Sequence, residues 1–221
     1  MLVERLHELG VDERLVLIDN GSTYEPLRDW LAGCDYPVIR LEENLGPHVA
    51  NALRESGKLY EYAGVRASEH IAYTDPDVIP CAECPADFLE IWRELLDSTD
   101  IIKVGFALRI DDLPDTYPLK SFARNHESVN WNRPIGEVAM TGAIAYHGFI
   151  DTTFALVRAG RDFRWTSHCL RTSAPYWARH MTWYETPDTC ADDIEYYRNR
   201  VGGSWSTFSG HGRRGVATER L

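Results

Sequence analysis

The chain has 221 residues, of which 44% are hydrophobic and 26% charged, and its formal net charge is −11 at pH 7. This composition is typical of a folded globular protein, and the length suits one large domain or two small ones. Because an acidic surface repels phosphodiester backbones, the charge argues against a nucleic-acid partner.

The sequence shows neither a membrane span nor a secretion signal. No apolar stretch approaches the roughly 20 residues that cross a bilayer, and Glu4 lies where a signal peptide carries basic residues. The five cysteines are an odd number, which favours reduced thiols. The Cys81-Ala-Glu-Cys84 motif lacks the second pair that a structural zinc site needs, so ordinary packing is expected there. We therefore expect a cytoplasmic protein, and its oligomeric state stays open.

Helix and strand patterns alternate through the first hundred residues. Apolar runs predict strands at 15–18, 37–41 and 70–74, and helical patterns predict helices at 2–9, 24–32, 48–62 and 86–97. This alternation implies an α/β fold with a mostly parallel central sheet flanked by helices. Ligands of such sheets gather at the carboxyl ends of the strands. Asp19-Asn20 and Asp75-Pro76-Asp77 each follow a strand, so we expect them to face one crevice.

The second half of the chain differs in composition and is richer in Trp, Tyr, His and Arg. Strands are predicted at 101–110, 137–146 and 150–157, and the short link between the last two favours antiparallel pairing. Residues 201–221 contain few large apolar side chains, which predicts a flexible C-terminal tail.

The Asp75-Pro76-Asp77 turn is the strongest local signal for chemistry. Two carboxylates at the end of a buried strand suit a hard divalent cation, Mg²⁺ or Mn²⁺, which fills its other positions with phosphate and water. Such a cation would let an acidic protein hold a diphosphate. The alternative is a structural acidic turn in which Pro76 enforces the bend.

Three motifs in order carry a resemblance to a known family. They are Asp19-Asn20-Gly21-Ser22-Thr23, Asn44-Leu45-Gly46 and Asp75-Pro76-Asp77, and together they resemble the nucleotide-binding half of GT-A-fold glycosyltransferases, particularly the family 2-like group. The resemblance implies a single GT-A-like domain over 1–200, with a nucleotide-binding half at 1–110 and an acceptor-binding half at 111–200. The usual first strand of that fold is missing, because this chain begins on a helix.

The resemblance also implies roles for individual residues. The nucleotide would contact Asp19, Asn20, Ser22, Asn44, Gly46 and His48. Asp75 and Asp77 would bind the metal that bridges the donor diphosphate, and His180 is the candidate for a further ligand from the C-terminal region. The alternative for Asp19 and Asn20 is a purely structural role, in a turn that hydrogen-bonds to its own backbone.

Cationic and aromatic side chains cluster in the segment 171–184. Arg171 and Arg179 are candidates to neutralise the leaving diphosphate, or they pair with the abundant acids. Trp177, Trp183 and Tyr184 are candidates to stack on a sugar, or they form core.

An inverting transfer needs a base that takes the proton of the acceptor hydroxyl, and Asp151 is the leading candidate. Glu137 and the pair Asp111-Asp112 are alternatives, and a retaining enzyme needs no such base.

The favoured hypothesis is a metal-dependent glycosyltransferase that moves a sugar from a nucleotide-diphosphate donor to a hydroxyl of a carbohydrate or small-molecule acceptor. Two other hypotheses stay open. One is a non-catalytic GT-A-like binding protein. The other is a haloacid-dehalogenase-like phosphohydrolase, because the apolar run into Asp75-Pro76-Asp77 also fits that nucleophile motif.

Overall fold

A computed structural model describes residues 1–46, 49–64, 66–138, 141–163, 166–184, 192 and 196. Within them the helices are α1 (Leu2–Glu8), α2 (Glu25–Gly33), α3 (Val49–Glu55), α4 (Lys58–Ala63), α5 (Phe88–Ser98) and α6 (Lys120–Ser128). The strands are β1 (Leu17–Asp19), β2 (Val38–Arg40), β3 (Ile71–Tyr73), β4 (Val78–Pro80), β5 (Lys103–Leu108), β6 (Pro134–Glu137), β7 (Ile144–Ile150), β8 (Ala155–Val157) and β9 (Thr166–His180). The predicted α/β class is confirmed.

The strands form two sheets. β1 and β2 pair in parallel as a two-stranded sheet, and the other seven strands form a second sheet in the order β3-β8-β5-β9-β7-β6, with β4 beside the end of β9. In the larger sheet β5 and β9 run parallel, while the other described pairings are antiparallel. The sheet is therefore mixed, and antiparallel pairing extends further than the sequence patterns indicated.

The two sheets do not pair with each other among the described residues. Within the described residues, β1 pairs only with β2 and β3 pairs only with β8, so each has one open edge. Both edges pack on one apolar cluster that contains Ile18, Ile71, Val49 and Leu53. The two sheets are thus joined through side chains and through α3, not through a shared ladder of hydrogen bonds.

Two strand predictions for the second half are wrong in detail, and one strand is missed. The strand predicted at 137–146 is a hairpin, in which β6 and β7 pair across a turn at Gly142, whose φ is +68°. Only 155–157 of the strand predicted at 150–157 is extended. β9 was not predicted as a strand, because its polar, aromatic and proline residues hide the alternation of inward and outward side chains.

The main core lies between α5 and the large sheet. Phe88, Trp92, Phe106 and Phe154 pack with ring centroids 4.5–5.8 Å apart, mostly edge to face. Trp92 donates its indole N–H to the hydroxyl of Thr172 at 3.2 Å, so its one polar atom is satisfied inside the core. This packing fixes β5 and β9, whose ends carry the candidate site. None of the described helices is long and apolar enough to cross a membrane.

Candidate functional site

Charged side chains collect at one edge of the large sheet. β3, β5 and β9 all point the same way, because β3 and β5 are both antiparallel to β8 and β9 is parallel to β5. Asp75 follows β3, Arg109 follows β5, and Arg179 and His180 end β9. Asp77 directly precedes β4, which runs antiparallel to β9 and pairs Val78 with His180. The carboxyl ends of these strands therefore carry the candidate site, whereas Asp19 and Asn20 follow β1 in the other sheet.

The Asp77 carboxylate and the His180 imidazole lie side by side. Asp77 Oδ2 is 3.5 Å from His180 Nε2, and the amide of Met181 donates a 2.7 Å hydrogen bond to the Asp77 carbonyl. Both side chains are partly open to solvent, with 28% and 21% of their surface exposed. The second nitrogen of the imidazole, Nδ1, is 2.5 Å from the hydroxyl of Thr182, so Nε2 is left to face Asp77. The ring also stacks on Trp183 at 4.8 Å.

Asp75 lies next to this pair but has a partner of its own. Its Oδ2 accepts a 2.5 Å hydrogen bond from the hydroxyl of Thr152, and its amide donates to the Thr152 carbonyl at 3.1 Å. Burial, together with the charges of Asp77 and Asp151, raises the pKa of Asp75 to about 7, although the hydrogen bond from Thr152 lowers it. A carboxyl group that titrates near neutral pH beside a second carboxyl group is typical of functional sites.

No three His, Cys, Asp or Glu side chains within the described ranges are grouped closely enough to hold a metal ion. Of the three metal ligands predicted from sequence, Asp77 and His180 are brought together, whereas Asp75 bonds to Thr152. A metal at this place would thus take two ligands from the arrangement seen, and Asp75 would have to release Thr152 to become the third.

Asp151, the candidate base, is held by its neighbours. Its Oδ1 accepts hydrogen bonds from the amide and the hydroxyl of Thr153, at 3.0 and 2.8 Å. Loss of solvation opposes its ionisation, but these bonds and the positive charge of Arg171 hold the pKa of Asp151 below its usual value. The carboxylate is therefore ionised at neutral pH, as a general base must be.

Buried Lys103 fixes the main chain at Asp151. The side chain is 1% exposed, and its ammonium group donates to the carbonyl oxygens of Asp151 at 3.0 Å and Phe163 at 2.8 Å. The burial lowers the pKa of Lys103. No sequence motif marks this lysine, because its role depends on carbonyl groups that lie about 50 residues away in the chain.

The residues predicted to contact the nucleotide form one linked pair of turns. The side-chain amide of Asn20 donates to the Gly46 carbonyl at 3.0 Å and to Asn44 Oδ1 at 3.1 Å, and its own oxygen accepts from the amide of Leu45 at 2.9 Å. The structure thus brings Asn20, Asn44 and Gly46 together. Their polar groups are largely engaged with each other. The bonds of Asn20 run to the second turn, so the alternative of a turn that bonds to its own backbone does not describe this residue.

Asp19 and Ser22 close the first of these turns. Buried Asp19 accepts a 2.8 Å hydrogen bond from the amide of Ser22. Between them Gly21 has φ +72°, and a Cβ atom there would lie 2.7 Å from the main chain of Glu43. Glycine is needed at this position, because it lets the two turns touch.

The arginines of the cluster already have partners. Arg179 donates to Asp112 Oδ2 at 3.1 and 2.5 Å and lies 5.4 Å from the ring of Tyr184. Asp112, proposed from sequence as an alternative base, also accepts a 2.6 Å bond from Tyr184. That Arg179 contacts a phosphate group stays a prediction. To do so, its guanidinium would have to release the Asp112 carboxylate and bind the phosphate instead.

Arg171 takes no part in the site, which corrects the expectation that it neutralises a leaving diphosphate. It is 3% exposed, and its Nη1 lies 3.2 Å from Oε2 of Glu127, which is equally buried. Its Nε donates to the Phe149 carbonyl at 2.8 Å. A guanidinium enclosed in this way cannot reach a ligand, and its charge acts on the site only through Asp151, whose pKa it helps to lower.

The aromatic candidates also divide between site and core. Trp177 donates its indole N–H to Glu83 at 2.7 Å, with the guanidinium of Arg109 over its ring at 4.6 Å. Trp183 is buried and supports His180. Sequence reasoning missed Thr152 and Thr182, which orient Asp75 and His180. Threonines are too common for their spacing alone to have identified them.

Two predictions fall outside the described residues. His48, proposed as a nucleotide contact, and the tail at 201–221 lie outside the described ranges.

No protein-family model matches the chain, and neither a curated protein nor a solved structure matches it.

Proposed function

We propose that this protein is a glycosyltransferase that uses a divalent cation to bind a nucleotide-diphosphate sugar and moves the sugar to an acceptor hydroxyl. The observation that carries the proposal is the 3.5 Å separation of Asp77 Oδ2 and His180 Nε2 at the carboxyl edge of the sheet. GT-A-type architecture is part of the same proposal and rests on the order of the sequence motifs.

The Asp77–His180 geometry fits two ligands of one ion. A separation of 3.5 Å is long for a hydrogen bond. Two ligand atoms about 2.1 Å from a shared ion, at an angle between about 90° and 110°, lie about 3.0–3.5 Å apart. A carboxylate oxygen with an imidazole nitrogen suits Mn²⁺ better than Mg²⁺. The hydroxyl of Thr182 would hold the ring in this orientation by accepting a hydrogen bond from the Nδ1–H group.

The neighbouring residues suit the remaining parts of the reaction. When bound, the cation would supply the positive charge that stabilises a departing diphosphate. Asp75 would add a second carboxylate, and a third protein ligand, to the site once it loses its proton near pH 7. Asp151, ionised and held by Thr153, would take the proton of the attacking hydroxyl. The paired turns of Asn20 and Asn44 would contact the nucleotide base.

A panel of nucleoside diphosphate sugars tests the proposal. Release of the nucleoside diphosphate is measured with candidate acceptors in Mn²⁺ and in EDTA. We expect Mn²⁺-dependent release that Asp77→Asn abolishes and that Asp115→Asn, at an exposed acid, leaves unchanged. The proposal fails if no donor in the panel is consumed in Mn²⁺, whether or not it is bound.

The two alternatives predict different results in the same assays. The lack of a three-ligand group among the described residues favours a non-catalytic binding protein as second candidate. That protein would bind a nucleoside diphosphate in Mn²⁺ without transferring sugar. A phosphohydrolase would release phosphate from simple phosphate esters and lose this activity in Asp75→Asn.

A further inference from the structure

A shallow recess at the other end of β3 is rich in arginine. It holds about 190 Å³ of space that opens to solvent, and Arg54, Arg158 and Arg161 line it together with Tyr60 and Glu69. We call it the arginine recess. Ile71, which begins β3, also lines it. Four residues of extended chain, about 13 Å, separate Ile71 from Asp75, so the arginine recess lies apart from the candidate metal centre.

Carboxylates offset the positive charge of the recess only in part. Glu69 is its one acidic lining residue, and the Glu69 carboxylate pairs with Arg14 at 3.1 Å and accepts from the amide of Arg66 at 2.6 Å, not from the three arginines that line the recess. Arg54 forms a long ion pair with Glu55 at 3.8 Å. A cluster of three guanidinium groups with so few carboxylates stands out in a chain whose net charge is −11.

Arg158 and Arg161 are brought together by a turn and keep donors available. The amide of Arg161 donates to the Arg158 carbonyl at 3.0 Å, and Gly160 between them has φ +74°. Arg158 uses Nε and Nη2 to donate to main-chain carbonyls, including those of Ile101 at 2.8 Å and Thr99 at 2.7 Å. These carbonyl groups accept hydrogen bonds from Arg158 but do not neutralise its positive charge. Arg161 is exposed and makes no ion pair with any described residue.

A second, independent observation indicates a missing acceptor. The Nε–H of Arg54 is buried and has no hydrogen-bond partner among the described residues. An unsatisfied buried donor on a charged group costs free energy, and an anion at the recess would supply the acceptor. Guanidinium groups match the oxygen geometry of phosphate, and the hydroxyl of Tyr60 adds a neutral donor nearby.

We propose that the arginine recess is a binding site for a small phosphate-bearing anion, separate from the site at Asp77 and His180. In this site the guanidinium of Arg161 would contact the anion from the solvent side. Those of Arg54 and Arg158 would contact it from the protein side. The proposal does not depend on the glycosyltransferase proposal, because none of its residues belongs to that site.

Titration calorimetry with inorganic phosphate tests this site, with EDTA present and ionic strength held constant by NaCl. We expect saturable binding that Arg161→Gln weakens at least about tenfold, the loss of one charge-assisted hydrogen-bonding group. Arg54→Gln should weaken it similarly. Because Arg161 is exposed, its variant should keep the melting temperature of the parent in phosphate-free buffer.

Two control variants make the result specific. Arg133→Gln removes another exposed arginine that makes no ion pair with a described residue, and it should bind phosphate like the parent. Asp77→Asn should also bind phosphate normally, which separates this site from the metal centre. The proposal is overturned if the parent shows no saturable binding, if Arg161→Gln binds equally well, or if Arg133→Gln loses as much affinity.

Discussion

The hydroxyl of Thr152 donates a 2.5 Å hydrogen bond to Oδ2 of Asp75, and the main chains of the two residues are joined by a second bond of 3.1 Å. This double link ties the end of β3 to the segment that carries Asp151. It therefore couples the first candidate metal ligand to the candidate base, two residues that lie far apart in the sequence.

The raised pKa of Asp75 predicts how stability depends on pH. Below about pH 4 the carboxyl group is protonated in both the folded and the unfolded chain. Between about pH 4 and 7 only the unfolded chain ionises, so the folded state loses stability as pH rises and the full loss is present above 7. Asp75→Asn removes this titration and keeps an acceptor for Thr152.

We expect Asp75→Asn to gain free energy of unfolding relative to the parent as pH rises from 4 to 8, by up to about 4 kcal/mol. Urea unfolding at several pH values measures the difference. A difference that stays constant over this range would show that Asp75 titrates normally in the folded protein.

Replacement of the candidate base separates binding from transfer. Asp151→Asn keeps an oxygen that accepts from Thr153, so the local main chain should stay in place. We expect donor affinity within about twofold of the parent and a loss of transfer of about 10²–10⁴-fold. Initial rates with saturating donor provide the test, and a variant with parental rates would assign the base to another residue.

A comparison of two glycines with similar φ shows how much the contact between the turns of Asn20 and Asn44 contributes to stability. Gly21 (φ +72°) leaves no room for a Cβ atom beside Glu43 and Asn44, whereas Gly10 (φ +65°) has nothing within 4 Å. Gly10→Ala should cost about 1 kcal/mol of stability through backbone strain alone.

Gly21→Ala should cost about 1–3 kcal/mol more and weaken nucleoside diphosphate binding, because the Asn20–Asn44 contact must open. Thermal unfolding and a binding titration of both variants measure this. Equal losses for the two variants would mean that the close approach of the turns is unimportant.

The buried ion pair predicts a purely structural variant. Glu127→Gln leaves the guanidinium of Arg171 enclosed without a counter-charge, which typically costs about 3–5 kcal/mol. Asp115→Asn breaks the exposed contact with Lys120 and should cost less than about 1 kcal/mol. Chemical denaturation distinguishes the two, and nucleotide binding should not change in either variant at temperatures where it is folded. A loss below 1 kcal/mol for Glu127→Gln would contradict the account of this pair.

Sequence patterns predicted the first half of the chain better than the second. β1, β2 and β3 are short apolar runs bounded by turn residues, and α1, α2 and α5 show clear helical periodicity, so local chemistry identifies them. β9 has fifteen residues in which strand partners change from β7 to β4, and no local pattern encodes that exchange. The helix predicted at 48–62 is divided into α3 and α4 at Gly57, which has φ +77°.

The candidate site could be predicted only as a set of strand ends. The motif Asp75-Pro76-Asp77 and the position of His180 in an aromatic segment indicated the chemistry, and Asp77 and His180 do lie together. The partners that decide each side chain's state come from distant parts of the chain, as Thr152 does for Asp75. The sequence also does not show which charged side chains are buried. Arg171 therefore looked like a ligand-binding residue, although it is enclosed with Glu127.

Binding of Mn²⁺ at Asp77 and His180 is the central claim, and electron paramagnetic resonance of free Mn²⁺ tests it most directly. Titration in the presence of a nucleoside diphosphate should show one bound ion per chain. Asp77→Asn and His180→Gln should each weaken its binding at least about tenfold, with Asp115→Asn as the unaffected control. Equal Mn²⁺ affinity in the parent and both site variants would contradict the account.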